Sequence, residues 1–145
     1  MPFIHVTAPE GALTQDAQAA FISSLSNAVL RSEGADPEDP AAQALVWAYY
    51  VEQPRSAVYV GGKNPEHAPL RIAVTTPEGA LDDRGRGTLA KEIGDLVDDF
   101  VGVFEGKLNH WVMLNELDEG SWGGAGQIFK LADIQGAMNI HPALA

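Results

Sequence analysis

The 145-residue sequence predicts an α/β (α+β) fold of two fused β-α-β units, a four-stranded sheet with two helices on one face. Three observations lead there. The phrase Val-Thr-Ala-Pro-Glu-Gly-Ala-Leu at Val6–Leu13 returns at Val74–Leu81, 68 residues on, with Ala8 changed to Thr76. Each half then reads as strand, helix, strand and hairpin. A strand–helix–strand crossover makes its two strands parallel, with a right-handed connection. The length suits one domain. The repeat divides it into a first unit over residues 2–68, a second over 69–134 and a C-terminal tail over 135–145.

In the first unit, Phe3–Thr7 is a short β-prone run and Pro9-Glu10-Gly11 supplies a turn. Thr14 is placed to cap a helix, with Asp16 in its first turn. Phe21, Leu25 and Val29 recur at i, i+4 and i+8, beside Ala17 and Ala28, so this stripe faces a core. Glu33–Pro40 reads as a polar loop. Leu45–Glu52 is a strand by its aromatic and β-branched content. Gln53–Ser56 turns, Ala57–Val60 extends again, and Gly61-Gly62 ends it.

The second unit follows the same plan. Leu70–Thr75 is the strand and Asp82 the cap. Leu89, Ile93, Leu96, Val97, Phe100 and Val101 form the buried stripe, and His110–Glu116 returns. Trp47 and Glu52 correspond to Trp111 and Glu116, and Gly61-Gly62 to Ala125-Gly126. Helices on one face leave the other face with exposed aromatics, which monomers seldom tolerate as a patch. An oligomer of closed rotational symmetry is therefore expected.

Composition narrows the function. The net charge of −11, with nine scattered basic residues, opposes binding to nucleic acid or an anionic membrane. No apolar run approaches the ~20 residues that span a bilayer. The start lacks the basic and apolar regions of a signal peptide, so a cytoplasmic location is expected. The absence of cysteine excludes disulfides and thiolate chemistry. His5 and His110 have no metal-ligand partners at useful spacing. No metal or cofactor is implied, and the expected partner is a small molecule.

Pro2 is where the two copies differ most, because its mate 68 residues on is the internal Leu70. If Met1 is removed, Pro2 becomes a free secondary amine. An α-amine has an ordinary pKa of about 8, and apolar burial pulls that value down. The neutral amine is then a general base near neutral pH. If Met1 stays, the nitrogen is an amide and cannot act.

An amino-terminal proline joined to duplicated β-α-β units resembles the tautomerase superfamily over about residues 2–134. The segment Val51-Glu52-Gln53-Pro54-Arg55-Ser56-Ala57-Val58-Tyr59-Val60-Gly61-Gly62 looks like the hairpin of the cis-3-chloroacrylic acid dehalogenase branch. Ser121-Trp122-Gly123-Gly124-Ala125-Gly126 followed by Leu131-Ala132-Asp133-Ile134 looks more like the malonate semialdehyde decarboxylase branch. The resemblance implies a homotrimer and Pro2 as the catalytic base. It places Trp122 at a wall of the active site. The family's carboxylate-gripping arginines fall on Leu13, Leu81, Trp47 and Trp111, and the dehalogenase's water-activating tyrosine falls on Met113. The substrate machinery is thus different and more apolar.

Trp47 and Trp111, standing where family arginines point inward, are candidate wall residues. Tyr49 shares Trp47's strand face by period-2 alternation and could donate to a developing enolate. Arg71, beside the mate of Pro2, is a candidate cation. The sequence-level expectation is keto–enol tautomerisation of a small oxo acid. Hydration, dehalogenation or decarboxylation of a three-carbon acid is the second reading, and a non-catalytic trimeric binding protein the third.

Overall fold

The computed structural model describes residues 2–141. Strands β1 (Phe3–Pro9), β2 (Trp47–Gln53), β3 (Leu70–Pro77) and β4 (His110–Leu117) form one sheet in the order β2-β1-β3-β4. β1 and β2 are parallel, β3 and β4 are parallel, and β1 meets β3 antiparallel at the centre. Helices α1 (Gln15–Ser32) and α3 (Asp83–Phe100) make the two crossovers and pack against each other. This is the four-stranded α+β architecture that the repeat predicts.

The duplicated phrase builds the same backbone twice. The Ala12 amide donates to the Pro9 carbonyl, and the Ala80 amide to that of Pro77, each at 3.1 Å. Gly11 and Gly79 take the left-handed third place of these turns, at φ 76° and 87°. The next residues, Leu13 and Leu81, are buried. Each helix then starts on a side-chain cap. Thr14 Oγ1 accepts from the Ala17 amide at 3.1 Å, and Asp82 Oδ1 from the Gly85 amide at 2.6 Å. These bonds satisfy amides that no helical carbonyl can reach.

The expected stripes face the sheet. Phe21, Leu25, Ala28 and Val29 of α1 and Leu89, Ile93 and Val97 of α3 cover Ile4, Val6, Ile72 and Val74. The last four are alternate residues of the central strands, which side-chain alternation puts on one face. Phe21 meets Phe100 edge-on, with centroids 5.4 Å apart.

Two local differences have clear causes. At the end of the expected polar loop, Pro40–Gln43 forms a short helix, α2, because Asp39 Oδ1 accepts from the Ala41 amide at 2.9 Å and proline suits its first turn. Residues Arg55–Ala57 form a 3-10 turn rather than running straight into a strand. Asn64 Nδ2 gathers the carbonyls of Arg55, Ser56 and Val58 around itself, at 3.4, 3.0 and 2.8 Å. The chain then reverses through Gly61 and Gly62, both at positive φ, between bridge partners Val60 and Lys63.

The sheet face away from the helices carries three rows of register partners. They are Trp47-Phe3-Thr75-Asn115, Tyr49-His5-Ala73-Met113 and Val51-Thr7-Arg71-Trp111. Trp47 and Trp111 stand at diagonal corners, 61% and 65% exposed.

Candidate active site

Topology gathers several chain segments at one end of the sheet. β1 starts just after Pro2, and α1 runs back so that its C-terminal end returns there. β2 starts there with Trp47, and β3, antiparallel to β1, has its Thr75 there beside Phe3. The last described segment folds onto the same end. Strands β5 (Gly123–Gly124) and β6 (Gln127–Ile128) form a tight hairpin through Ala125 and Gly126, at φ 50° and 77°. A side chain at Gly124 would come within 3.2 Å of the Phe129 ring, so glycine lets that ring lie close.

Helix α4 (Leu131–Ala137) follows. Asp133 Oδ2 accepts from the Lys130 amide at 2.9 Å, and Glu119 Oε1 from the Leu131 amide at 3.0 Å. Ile134, Met138 and Ile140 pack on Leu30, Ala35 and Ala42 as a second small core, flanked by Trp122 and Phe129. Part of the segment expected as a tail is thus packed structure. Residues 142–145 of it lie outside the described residues.

Between this segment and the sheet end lies a cleft of about 940 Å³. Its walls include Pro2, Phe3, Trp47, Trp122, Phe129 and Asp133. Pro2 is buried, and its carbonyl accepts from the Trp47 amide at 3.2 Å. The Trp47 indole is held in turn by donating from Nε1 to the Ala44 carbonyl at 3.1 Å. Asp133 is the one ionisable side chain among the described lining residues; Thr75, Ser121 and Gln127 are neutral donors and acceptors. Met1, whose removal the proline chemistry requires, lies outside the described residues.

Close by in the topology, Glu33 ends α1. It is 7% exposed, and its Oε1 has no hydrogen-bond partner among the described residues. Burial pushes its carboxyl up to about 7.

Of the residues singled out by sequence, the fold brings Pro2, Trp47 and Trp122 into one cleft. Tyr49 lies outside its lining, in the middle row of the bare face, with its ring edge-on to Phe3 at 5.3 Å. Arg71 and Trp111 are register partners in the row farthest from the cleft. Asp133, Phe129 and Glu33 were not singled out. The first two lie in or beside the stretch that carries the decarboxylase-like resemblance, which is the signal that could have found them. Among the described residues, no three His, Asp or Glu side chains converge to hold a metal ion.

The fold is shared with solved structures of a fused 4-OT and of a cis-3-chloroacrylic acid dehalogenase family member. No protein-family model and no curated protein matches the sequence. Among solved structures, a fused 4-OT described as a wild-type symmetric trimer is 22% identical, with a TM-score of 0.72, over 90% of this chain and 97% of its own. Pt0534, described as inactivated by 2-oxo-3-pentynoate, is 23% identical with a TM-score of 0.72, over 87% of this chain and 94% of its own. N1, a member of the cis-3-chloroacrylic acid dehalogenase family, is 17% identical with a TM-score of 0.68, over 87% and 82%. The likeness at these identities is one of fold. Among the described residues, no helix is long and apolar enough to cross a membrane.

Proposed function

We propose that the chain, once Met1 is removed, is a proline-based tautomerase. Pro2 takes a proton from the carbon beside a carbonyl and returns it one atom away, interconverting the keto and enol forms of a small oxo compound. The observation that carries this reading is the burial of Pro2 at the wall of a cleft whose other walls are largely apolar. Such surroundings disfavour the ammonium form and leave a neutral amine at working pH. Thr75, Ser121 and Gln127 supply neutral groups that can hydrogen-bond to the enolate oxygen as charge develops.

Three copies are proposed to assemble with their bare sheet faces covered. Trp47, Tyr49, Val51 and Trp111 are all exposed on that face, and the fused 4-OT relative is described as a trimer. A mass measurement on native protein tests the assembly.

The catalytic reading is tested in two steps. Intact mass establishes whether Met1 is gone. Ketonisation of phenylpyruvate enol or 2-hydroxymuconate by wild type and Pro2→Ala then tests the base. The alkyne conjugated to a ketone in 2-oxo-3-pentynoate, which inactivates Pt0534, is an acceptor to which the Pro2 nitrogen should add once per chain, from the acid or from its methyl ester. Equal rates for wild type and Pro2→Ala would sink the proposal.

A further inference from the structure

We infer that the cleft takes an uncharged aromatic or extended apolar carbonyl compound and discriminates against carboxylates. This rests on Pro2 being the base, and it names the substrate class of that site.

Charge is the first argument. The described lining contains no lysine or arginine, and its single ionisable side chain, Asp133, is acidic. A carboxylate entering here would leave water, meet no cation and face a like charge within a chain of net charge −11. Within one chain several other basic side chains are engaged or distant, while Lys130, next to Phe129, has its Nζ beside Gly120, outside the lining. Arg86 bonds to Asp83, Glu116 and the Leu81 carbonyl, Arg31 to Glu92, and Lys91 to Asp95. Arg55 donates to the Glu10 carbonyl. Arg71 occupies the row of the bare face farthest from the cleft.

Shape and surface are the second argument. Aromatic rings from three segments, Phe3, Trp47 and the Trp122–Phe129 pair, line the space. Its volume of about 940 Å³ is far beyond the need of a three-carbon acid, within the range of drug-sized ligand sites. Trp47 is fixed at its backbone amide and at its indole nitrogen, so one wall is a preset flat surface. The polar groups left to orient a ligand are Thr75, Ser121 and Gln127. They suit a carbonyl or enol oxygen and supply no formal positive charge.

Matched substrates test this. Phenylpyruvate and its methyl ester share a skeleton and differ in one charge. With each rate divided by its uncatalysed enolisation rate, kcat/KM for the ester should exceed that for the acid at least tenfold. Asp133→Asn should narrow the ratio at least threefold, because Asn keeps an oxygen for the Lys130 amide while removing the like charge. An ester-to-acid ratio below tenfold overturns the inference, as a cation from another copy of the chain would produce.

Binding separates this inference from the catalytic reading. Tryptophan fluorescence can follow cinnamamide and cinnamate, which need no proton transfer. Cinnamamide binding at least tenfold tighter supports the uncharged class even if Pro2→Ala proves as active as wild type. Equal or tighter binding of cinnamate overturns it.

Discussion

The Trp47 amide donates to the Pro2 carbonyl at 3.2 Å, so the first residue of β2 fixes the residue that precedes β1. The bond continues the parallel ladder by one step beyond the Phe3–Trp47 register pair. It anchors the carbonyl side of Pro2 while the nitrogen side lies at the strand's free end. Trp47 therefore does two things at this site: its backbone holds the proline, and its ring walls the cleft.

Pro2→Ala is expected to lower kcat/KM for ketonisation at least about 100-fold, the lower range for losing a positioned general base. Its melting temperature should stay near that of wild type. The alanine variant still has a terminal amine, so residual activity should still depend on pH. A pH profile of kcat/KM for both proteins checks this.

Glu33 should make stability fall with rising pH. The folded chain holds its proton up to about pH 7, whereas an ordinary glutamate releases it near 4.5. Its contribution is therefore fully present below pH 4.5, declines between 4.5 and 7, and is gone above that. The change amounts to up to about 3 kcal/mol by linkage. Urea unfolding at pH 5 and pH 8 should show this decline in wild type and a smaller one in Glu33→Gln. The same pH dependence in both proteins would assign the effect elsewhere.

Trp111→Glu probes the bare face without touching the cleft, since Trp111 lies in the far row. Burying an unpaired carboxylate in an interface is unfavourable. The native assembly is expected to shift to smaller species by light scattering, while the far-ultraviolet circular dichroism stays that of a folded chain. An unchanged assembly would place the interface on another surface.

The repeated turn offers an internal control. Gly11 and Gly79 both have positive φ, and an added methyl at Gly11 meets nothing within 4 Å. At Gly79 it would lie 3.2 Å from a Leu131 methyl. Gly11→Ala should cost about 1 kcal/mol from backbone strain alone. Gly79→Ala should cost more, about 2 kcal/mol, by also pushing on the start of α4. Thermal unfolding of the two variants gives the ordering.

Much of this was legible because the sequence says it twice. The turn at Pro9-Glu10-Gly11, the caps Thr14 and Asp82, and the stripes through Phe21 and Leu89 follow from local chemistry and spacing. The second core was not legible. Leu30 and Ile140 lack periodic apolar neighbours, Met138 falls four residues past Ile134 in what read as a tail, and their burial depends on a segment returning from far along the chain. Glu33 read as the start of a solvated loop, yet it is 7% exposed. Trp47 and Trp111 are equivalent in the repeat. Only one sheet end receives the hairpin and α4, so only Trp47 borders a cleft.

Leu70, the counterpart of Pro2, is almost wholly buried inside a continuous backbone and donates its amide to the Asn109 carbonyl at 2.9 Å. Fusing two units thus silences one of two equivalent seats by covalent continuity alone. On the proposed chemistry, reactive ends would occur at half the density that the same sheets would show unfused. Titration of the assembly with an ynone under conditions that keep the four lysines protonated is expected to saturate at one equivalent per polypeptide, and the silent seat is free to change its side chains without altering the chemistry.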